Sequence, residues 1–337
     1  MSIQDSANFR NGRFRNLHKY RISTPFKGEN SMIAFAKVVF GFMVAKRPRG
    51  KLPCVRLNKR QYEQFHGHDV LMTWLGHSTV LIKTGNKTIL ADPTFSKRAS
   101  FLSFMGPKKF DTRIEYTVED LPPIDVVIIS HDHYDHLDYD TIIGLKDAVG
   151  LFLVPMGVKA HLLRWGVAAD RVSELEWYEE RTVADLRFVF TPTRHFSGRS
   201  ITGRMGTLWG AWVIKNGGRS IYFGGDSGYF DGFKKAGDQF GPFDIAFIEC
   251  GAYNERWSQV HLFPEQTVQA SIDLKASVLM PIHNSKFILS THPWFEPLDR
   301  VLAESIRKNV VLATPEIGES FSLNPHIPQN RWWKGMR

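Results

Sequence analysis

The chain has 337 residues, 43% of them hydrophobic and 23% charged, with a formal net charge of +9 and a pI near 9.5. This composition excludes a disordered polymer and leaves enough apolar material for one large core; the basic balance favours anionic partners, although a merely solubilising surface remains open. The two cysteines, Cys54 and Cys250, exclude a disulfide framework and fit a reducing, cytoplasmic setting.

In chain order, residues 1–30 are polar and read as a loosely structured arm. Met32 to Ala45 is the most apolar stretch. It is too short to span a bilayer, contains Lys37, and is followed by Lys46, Arg47, Arg49 and Lys51. It reads either as a helix packed on the main domain or as an interfacial helix, with Phe35, Phe40, Phe42 and Met43 entering lipid beside a basic collar. Gly41, Val38 and Val39 weaken either helix. The extension is expected to cover residues 1–67 and a hydrolase domain 68–325, beginning near His68. The tail, 326–337, is basic and aromatic, carries Trp332 and Trp333, and is either mobile or packed back onto the body.

Within the main domain, Val70–Trp74 and Ser78–Lys83 read as strands. The turn residues Thr84-Gly85-Asn86-Lys87 lead to a partner strand, Thr88–Ala91. Further strands are expected at Ile124–Ser130, Leu186–Phe190, Ile221–Phe223, Ile245–Glu249 and Val278–Pro281. Helices are expected at Tyr139–Ala148, Val158–Trp165 and Pro264–Leu274, the last with Pro264 in its first turn and Glu265 suited to its dipole. Alternating strands and helices argue a layered α/β domain without internal repeats.

The sharpest chemical feature follows the apolar run Ile124–Ser130. There His131, Asp132, His133, Tyr134, Asp135 and His136 place three imidazoles and two carboxylates within one short segment. Zinc and related divalent ions take these ligands at catalytic sites. A solvated polar loop is the plain alternative, but other apolar strands end in the same way: Phe188–Phe190 leads to His195, Ile221–Phe223 to Asp226, and Val278–Ile282 to His283. Gly224 and Gly225 allow close backbone approach before Asp226. Each exit alone is a weak signal; together they point to one metal site.

This pattern resembles the metallo-β-lactamase superfamily. Longer stretches resemble the N-acyl-phosphatidylethanolamine-hydrolysing phospholipase D family within it: Trp74–Thr79, Asp92–Ser96, Arg98–Ser100, Gly106–Lys108, Leu121–Asp125, Ser130–Asp138, Leu208–Gly210, Gly225–Tyr229, Phe240–Asp244, Gly251–Tyr253 and Arg256-Trp257, with a faint match at Asn11–Phe14. The resemblance spans residues 68–320 or so. It implies an αββα sandwich with two zinc ions, or another divalent transition metal, at one sheet edge. His131, His133 and His195 would hold one ion, Asp135, His136 and His283 the other, and Asp226 would bridge them. The chain departs from the family at Asn284-Ser-Lys-Phe287 and along the N-terminal arm, which leaves lipid specificity unsettled.

Two ions roughly 3.5–4 Å apart would ready a bridging hydroxide for attack on phosphorus. Asp135 is counted with His261 among the catalytic residues. His261, at a position where the family carries a histidine, is the candidate acid for the leaving alcohol, although a cap or core role is equally open. His77 and Asp92 are candidates to orient metal ligands from behind, with a turn role open for Asp92. Tyr253 is a candidate pocket residue. Tyr134 and Asp138 either orient the loop or cap the next helix. Phe101, Leu102, Phe104 and Met105 suit an acyl groove or membrane face, and Arg98, Lys108, Lys109 and Arg194 suit a lipid phosphate or simple solvation.

The reading is a phospholipase D-type phosphodiesterase acting on N-acyl-phosphatidylethanolamine or a related phospholipid, giving phosphatidic acid and an N-acylethanolamine. A lactonase or other ester hydrolase of the same fold is the alternative. Partners expected are the phospholipid and an anionic membrane surface touched peripherally, with a homodimer left open. No nucleic acid is expected, because no recognition module for it is visible. A non-catalytic scaffold sits poorly with an intact ligand set.

Overall fold

A computed structural model describes residues 3–22, 31–66, 69–100, 104–199 and 204–337. The expected domain start at His68 and the groove residues Phe101 and Leu102 lie outside the described residues, as do the side chains of Phe35 and Met43.

The N-terminal segment forms a small hairpin, β1 (Phe9–Arg10) and β2 (Arg13–Phe14), followed by α1 (Ser31–Val44) and α2 (Lys59–Gln64). The first half of the body contains β3 (Val70–Trp74), β4 (Val80–Thr84), β5 (Lys87–Ala91), β6 (Val126–Ile128), α3 (Tyr139–Leu145), β7 (Leu151–Pro155), α4 (Lys159–Arg164) and β8 (Val172–Leu175). The second half contains β9 (Glu180–Val183), β10 (Leu186–Thr191), β11 (Ala211–Asn216), β12 (Arg219–Phe223), α5 (Gly232–Phe240), β13 (Phe243–Glu249), α6 (Pro264–Asp273), β14 (Ala276–Ile282), α7 (Glu296–Lys308), β15 (Val311–Leu312) and β16 (Ser320–Ser322).

Among the described residues these strands build two seven-stranded sheets, ordered β16-β3-β4-β5-β6-β7-β8 and β15-β14-β13-β12-β11-β10-β9. Each sheet changes from antiparallel to parallel pairing partway across, at β5–β6 in one and β12–β13 in the other. Beyond β6 in the first sheet and β12 in the second, helices connect successive parallel strands.

Side-chain alternation explains the layers. Along β10, Phe188 and Phe190 join the core that also holds residues of the first sheet, whereas Val189 joins a second core with α5 and α6. The same switch occurs at Ile245 and Phe247 against Ala246 and Ile248, and at Val278 and Met280 against Leu279. The inner residues seal sheet against sheet; the outer ones seal the second sheet against its helices. Each fully buried aliphatic or aromatic side chain contributes about 1.5–3 kcal/mol.

The N-terminal segment differs from the loose arm expected of its polar composition. Phe14 is fully buried and meets Phe9 edge-on at 4.9 Å, and its amide donates to Met205 O. Ser6 and Asn8 donate to the Glu176 carboxylate. Asn16 Nδ2 donates to the backbone oxygen of His195 at 2.6 Å, so this segment reaches the back of the candidate site. A few well-placed apolar and amide groups, rather than average hydrophobicity, fix residues 3–22.

The apolar stretch is helical, as both sequence readings required, but burial against the body fails for much of it. Met32 is 78% and Phe40 65% exposed. One side does touch the body: Phe42 stacks on Trp257 at 6.5 Å, and a side chain at Gly41 would collide with Thr291. Among the described residues no helix is long and apolar enough to cross a membrane. The tail packs back: Trp333 is fully buried and its indole donates to Asp299 at 2.9 Å.

Candidate metal centre

The loops leaving β6, β10, β12 and β14 meet at one edge of the two sheets. They bring together His131, His133, Asp135, His136, His195, Asp226 and His283, all seven residues expected from the strand exits. His131 Nε2 is 2.8 Å from His133 Nδ1, and His195 Nε2 is 3.3 Å from the same atom. Asp226 lies between this trio and a second group. Its Oδ2 is 3.7 Å from His195 Nε2 and 3.1 Å from His283 Nε2, and its Oδ1 is 3.4 Å from His136 Nε2. Asp135 Oδ2 completes the second group, 3.3 Å from His283 Nε2 and 3.7 Å from His136 Nε2.

These spacings suit bound cations. Donors about 2.0–2.1 Å from a tetrahedral zinc stand roughly 3.3 Å apart. Moreover, His136 Nε2, Asp226 Oδ1 and both ring nitrogens of His283 are buried without a hydrogen-bond partner. Leaving such groups unsatisfied is costly, and a cation between them removes that cost.

The charge balance is uneven across the cluster. Burial holds His131 and His195 well below the ordinary histidine value, as neutral imidazoles ready to donate lone pairs. Burial also works against protonation of His283, but Asp226 and Asp135 outweigh it and raise that residue to about 10. His136 is raised well above its ordinary value by Asp226, Asp135 and Asp92, again against burial. Asp226 in turn is held well below the carboxylate range, because His283 and His136 outweigh its burial. A metal entering the second group must therefore displace protons.

A second layer supports the ligands. Asp92 Oδ2 is 2.7 Å from His136 Nδ1, and both Asp92 oxygens accept from Ser130. This carboxylate can fix the ring orientation and tautomer of His136. His77 Nε2 is 3.1 Å from Asp135 Oδ2, and its ring centroid is 4.2 Å from that of His283. The two loops interlock: His283 N donates to His77 O, and His77 N to Asn284 O. His77, Asp92 and His283 all adopt positive φ, at 56°, 40° and 60°. Such strain in non-glycine residues collects at functional sites. Gly225 does what its position requires: a side chain there would come within 2.6 Å of Ser130 Cβ.

His261 reaches the cluster's rim. Its Nδ1 is 2.9 Å from Glu249 Oε2 and 3.9 Å from Asp226 Oδ2. Burial opposes its protonation, but Glu249 prevails and raises its pKa. Glu249 is absent from the sequence-derived site, although it ends β13 just as other ligands follow their strands. Asp132 is a second omission. It is buried inside the histidine run and accepts from Gly198 N at 2.6 Å.

Other candidates are placed differently. The Tyr253 hydroxyl donates to Glu296 at 2.6 Å, its ring stacks on His292 at 4.1 Å and lies against Phe263 and Arg300, so these neighbours, and not the candidate ligands, surround it. Arg194 donates to Tyr229 O and Gln259, and Arg98 to Gly106 O, so both are tied into the fold. Asp138 accepts from the amides of Phe95 and Ser96, which settles it as an organiser of the neighbouring loop. A cavity of about 1040 Å³ opens beside the histidine run, lined by Phe95, Phe104, Tyr134, Asp138 and Trp165 among others.

Comparison with known proteins agrees with this geometry. The family model of the beta-lactamase superfamily domain matches residues 87–284, more than half of the chain. An uncharacterized protein of Mycobacterium tuberculosis is 37% identical over 98% of this chain and 88% of its own length. The N-acyl-phosphatidylethanolamine-hydrolyzing phospholipase D 1 of Caenorhabditis elegans is 35% identical over 76% of this chain and 77% of its own. Among solved structures, Igni18, a metallo hydrolase from Ignicoccus hospitalis, shares the fold with a TM-score of 0.58 at 19% identity, over 77% of this chain and 100% of its own. The αββα sandwich, the convergent donor set and these relatives agree: the chain belongs to the metallo-β-lactamase superfamily and is a metal-dependent hydrolase.

Proposed function

We propose that the chain is a phospholipase D-type phosphodiesterase. It hydrolyses N-acyl-phosphatidylethanolamine or a related phospholipid to phosphatidic acid and an N-acylethanolamine. The nematode relative's activity suggests the substrate. The observation that carries the reading is the His261–Glu249 pair at the rim of the metal cluster, with His261 Nδ1 2.9 Å from Glu249 Oε2.

His131, His133 and His195 would hold one zinc or similar ion, Asp135, His136 and His283 a second, with Asp226 shared. When bound, such ions supply Lewis acidity and make water nucleophilic near neutral pH. The chain's own residues do the rest. Asp92 and His77 hold His136 and Asp135 in place. Glu249 accepts from His261 Nδ1 and favours the doubly protonated ring, so its Nε2–H can be handed to the departing ethanolamine oxygen. Water's oxygen becomes bonded to phosphorus, the phosphorus–oxygen bond to the ethanolamine breaks, and the alcohol leaves neutral; one water proton stays on the phosphate product and the other restores the proton His261 gave up.

The cavity beside the histidine run mixes aromatic walls (Phe95, Phe104, Trp165) with basic groups (Arg98, Lys109), which suits an amphiphile with an anionic head. Exposed Met32, Ile33 and Phe40 on α1, with Lys46, Arg47 and Arg49 after it, suit peripheral contact with an anionic bilayer.

The test is release of N-acylethanolamine from liposomes containing the phospholipid, with and without chelator, beside a panel of lactones. Chelator-sensitive lipid turnover supports the proposal. Lactone turnover without lipid turnover overturns it.

A further inference from the structure

The histidine run that supplies four of the candidate ligands is a short loop between β6 and α3. A loop with two ligands near its start and two near its end needs a fixed curl, and its own turn hydrogen bonds span only part of it. The amides of His136 and Leu137 donate to His133 O. Nothing in that pair holds the start of the loop at His131 and Asp132.

Arg199 does. Its Nη1 donates to the backbone oxygen of Asp132 at 2.9 Å and to that of Leu137 at 2.5 Å. One guanidinium nitrogen thus joins the carbonyl between the first two histidines to the carbonyl just beyond His136. The middle of the run is held by the same segment. Tyr134 Oη donates to Arg199 O at 2.5 Å, and the guanidinium carbon lies 4.1 Å from the centre of the Tyr134 ring. Trp165 presents its ring 5.1 Å away. One residue earlier, Gly198 N donates to the Asp132 carboxylate at 2.6 Å. The grip therefore comes from the chain just after His195, itself a candidate ligand, and ties that ligand's loop to the other four.

We infer that Arg199 is a positioning residue for the metal centre, setting the curl of the His131–His136 run and its distance from His195. The planar guanidinium suits the task because it stays charged at any working pH and presents several donors in fixed directions, while its faces stack on aromatic rings. Lysine would keep the charge but lose both the fork and the stacking. The claim concerns geometry behind the ligands, so it does not depend on which phosphodiester or ester the enzyme cleaves.

The test is zinc affinity, measured by competition with a chromophoric chelator at a temperature where each protein is folded. The proteins compared are the parent, Arg199→Lys and Arg199→Met, and melting of each metal-free protein is followed separately. Partners standing behind metal ligands change affinity by about 10–100-fold when removed. The expected result is a loss of that size in Arg199→Lys, and in Arg199→Met if it folds, with an altered visible spectrum of the cobalt-substituted protein. A purely architectural arginine would lower melting of the metal-free protein and leave affinity and spectrum at parental values. Parental zinc affinity in Arg199→Lys would overturn the inference, whatever happens to stability.

Discussion

Asp92 and His136 share a buried contact of 2.7 Å between Oδ2 and Nδ1, and both side chains are wholly shielded from solvent. The opposite nitrogen of the same ring, Nε2, is buried without a hydrogen-bond partner and faces Asp226 at 3.4 Å. Asp92 thus holds the back of the ring while its front faces the cluster. Asp92→Asn keeps the shape but removes the carboxylate that favours an N–H at Nδ1. A loss of about 10–100-fold in metal affinity or turnover is expected, with circular dichroism unchanged. Parental values in both assays would remove Asp92 from the centre.

His261 is expected to matter in proportion to how much the leaving group needs a proton. On the phospholipid, His261→Ala should lower kcat by about 10²–10⁴-fold. On a diester that releases p-nitrophenolate, stable without protonation, the loss should be much smaller. Glu249→Gln should follow the same pattern more weakly, since it acts through His261. Equal losses on both substrates would assign the pair a structural role.

Phe14 makes the N-terminal segment testable. Its side chain is fully buried, and Phe14→Ala should destabilise the protein by about 3–5 kcal/mol in urea unfolding. A loosely attached arm would give a change within about 0.5 kcal/mol, as for an ordinary surface substitution.

Lys286 gives a pH signature. Its ammonium donates to Thr94 O under the Phe95 ring. Burial, aided by Lys109, pushes it down to about 7. Between that value and the ordinary lysine value near 10.4, the unfolded chain binds the extra proton, so this residue makes stability rise with pH across that window. Lys286→Met removes the effect. The variant's gain over the parent should be largest at pH 6 and shrink toward pH 10. Urea midpoints whose difference stays constant with pH would contradict this placement of the amine.

Much of this architecture is legible in the sequence because short apolar runs end in ligands. Val70–Trp74 is placed to the residue, and His195, Asp226 and His283 arrive where their strands end. The turn at Gly85 joins β4 to β5 with Thr84 opposite Lys87. What stays hidden lacks a local signal. β11 is an apolar run of the same kind as β13, with Trp212 and Ile214 facing one core and Ala211 and Val213 the other, but no ligand follows it to single it out. α5 contains Gly232 and Gly237, poor helix formers, and is held by packing of Phe233 and Phe240. Glu249 was readable by the strand-exit rule already applied to its neighbours. Arg199 was not, since its role rests on two backbone oxygens that no residue pattern announces.

The most direct measurement is elemental analysis of the protein purified without chelator, paired with activity before and after metal removal. Bound zinc or another divalent transition metal is expected, with activity falling as it is stripped and returning on its readdition. His133→Ala and Asp226→Asn should lose both metal and activity while staying folded. A fully active preparation containing no metal would contradict the assignment of His131, His133, Asp135, His136, His195, Asp226 and His283 to one centre.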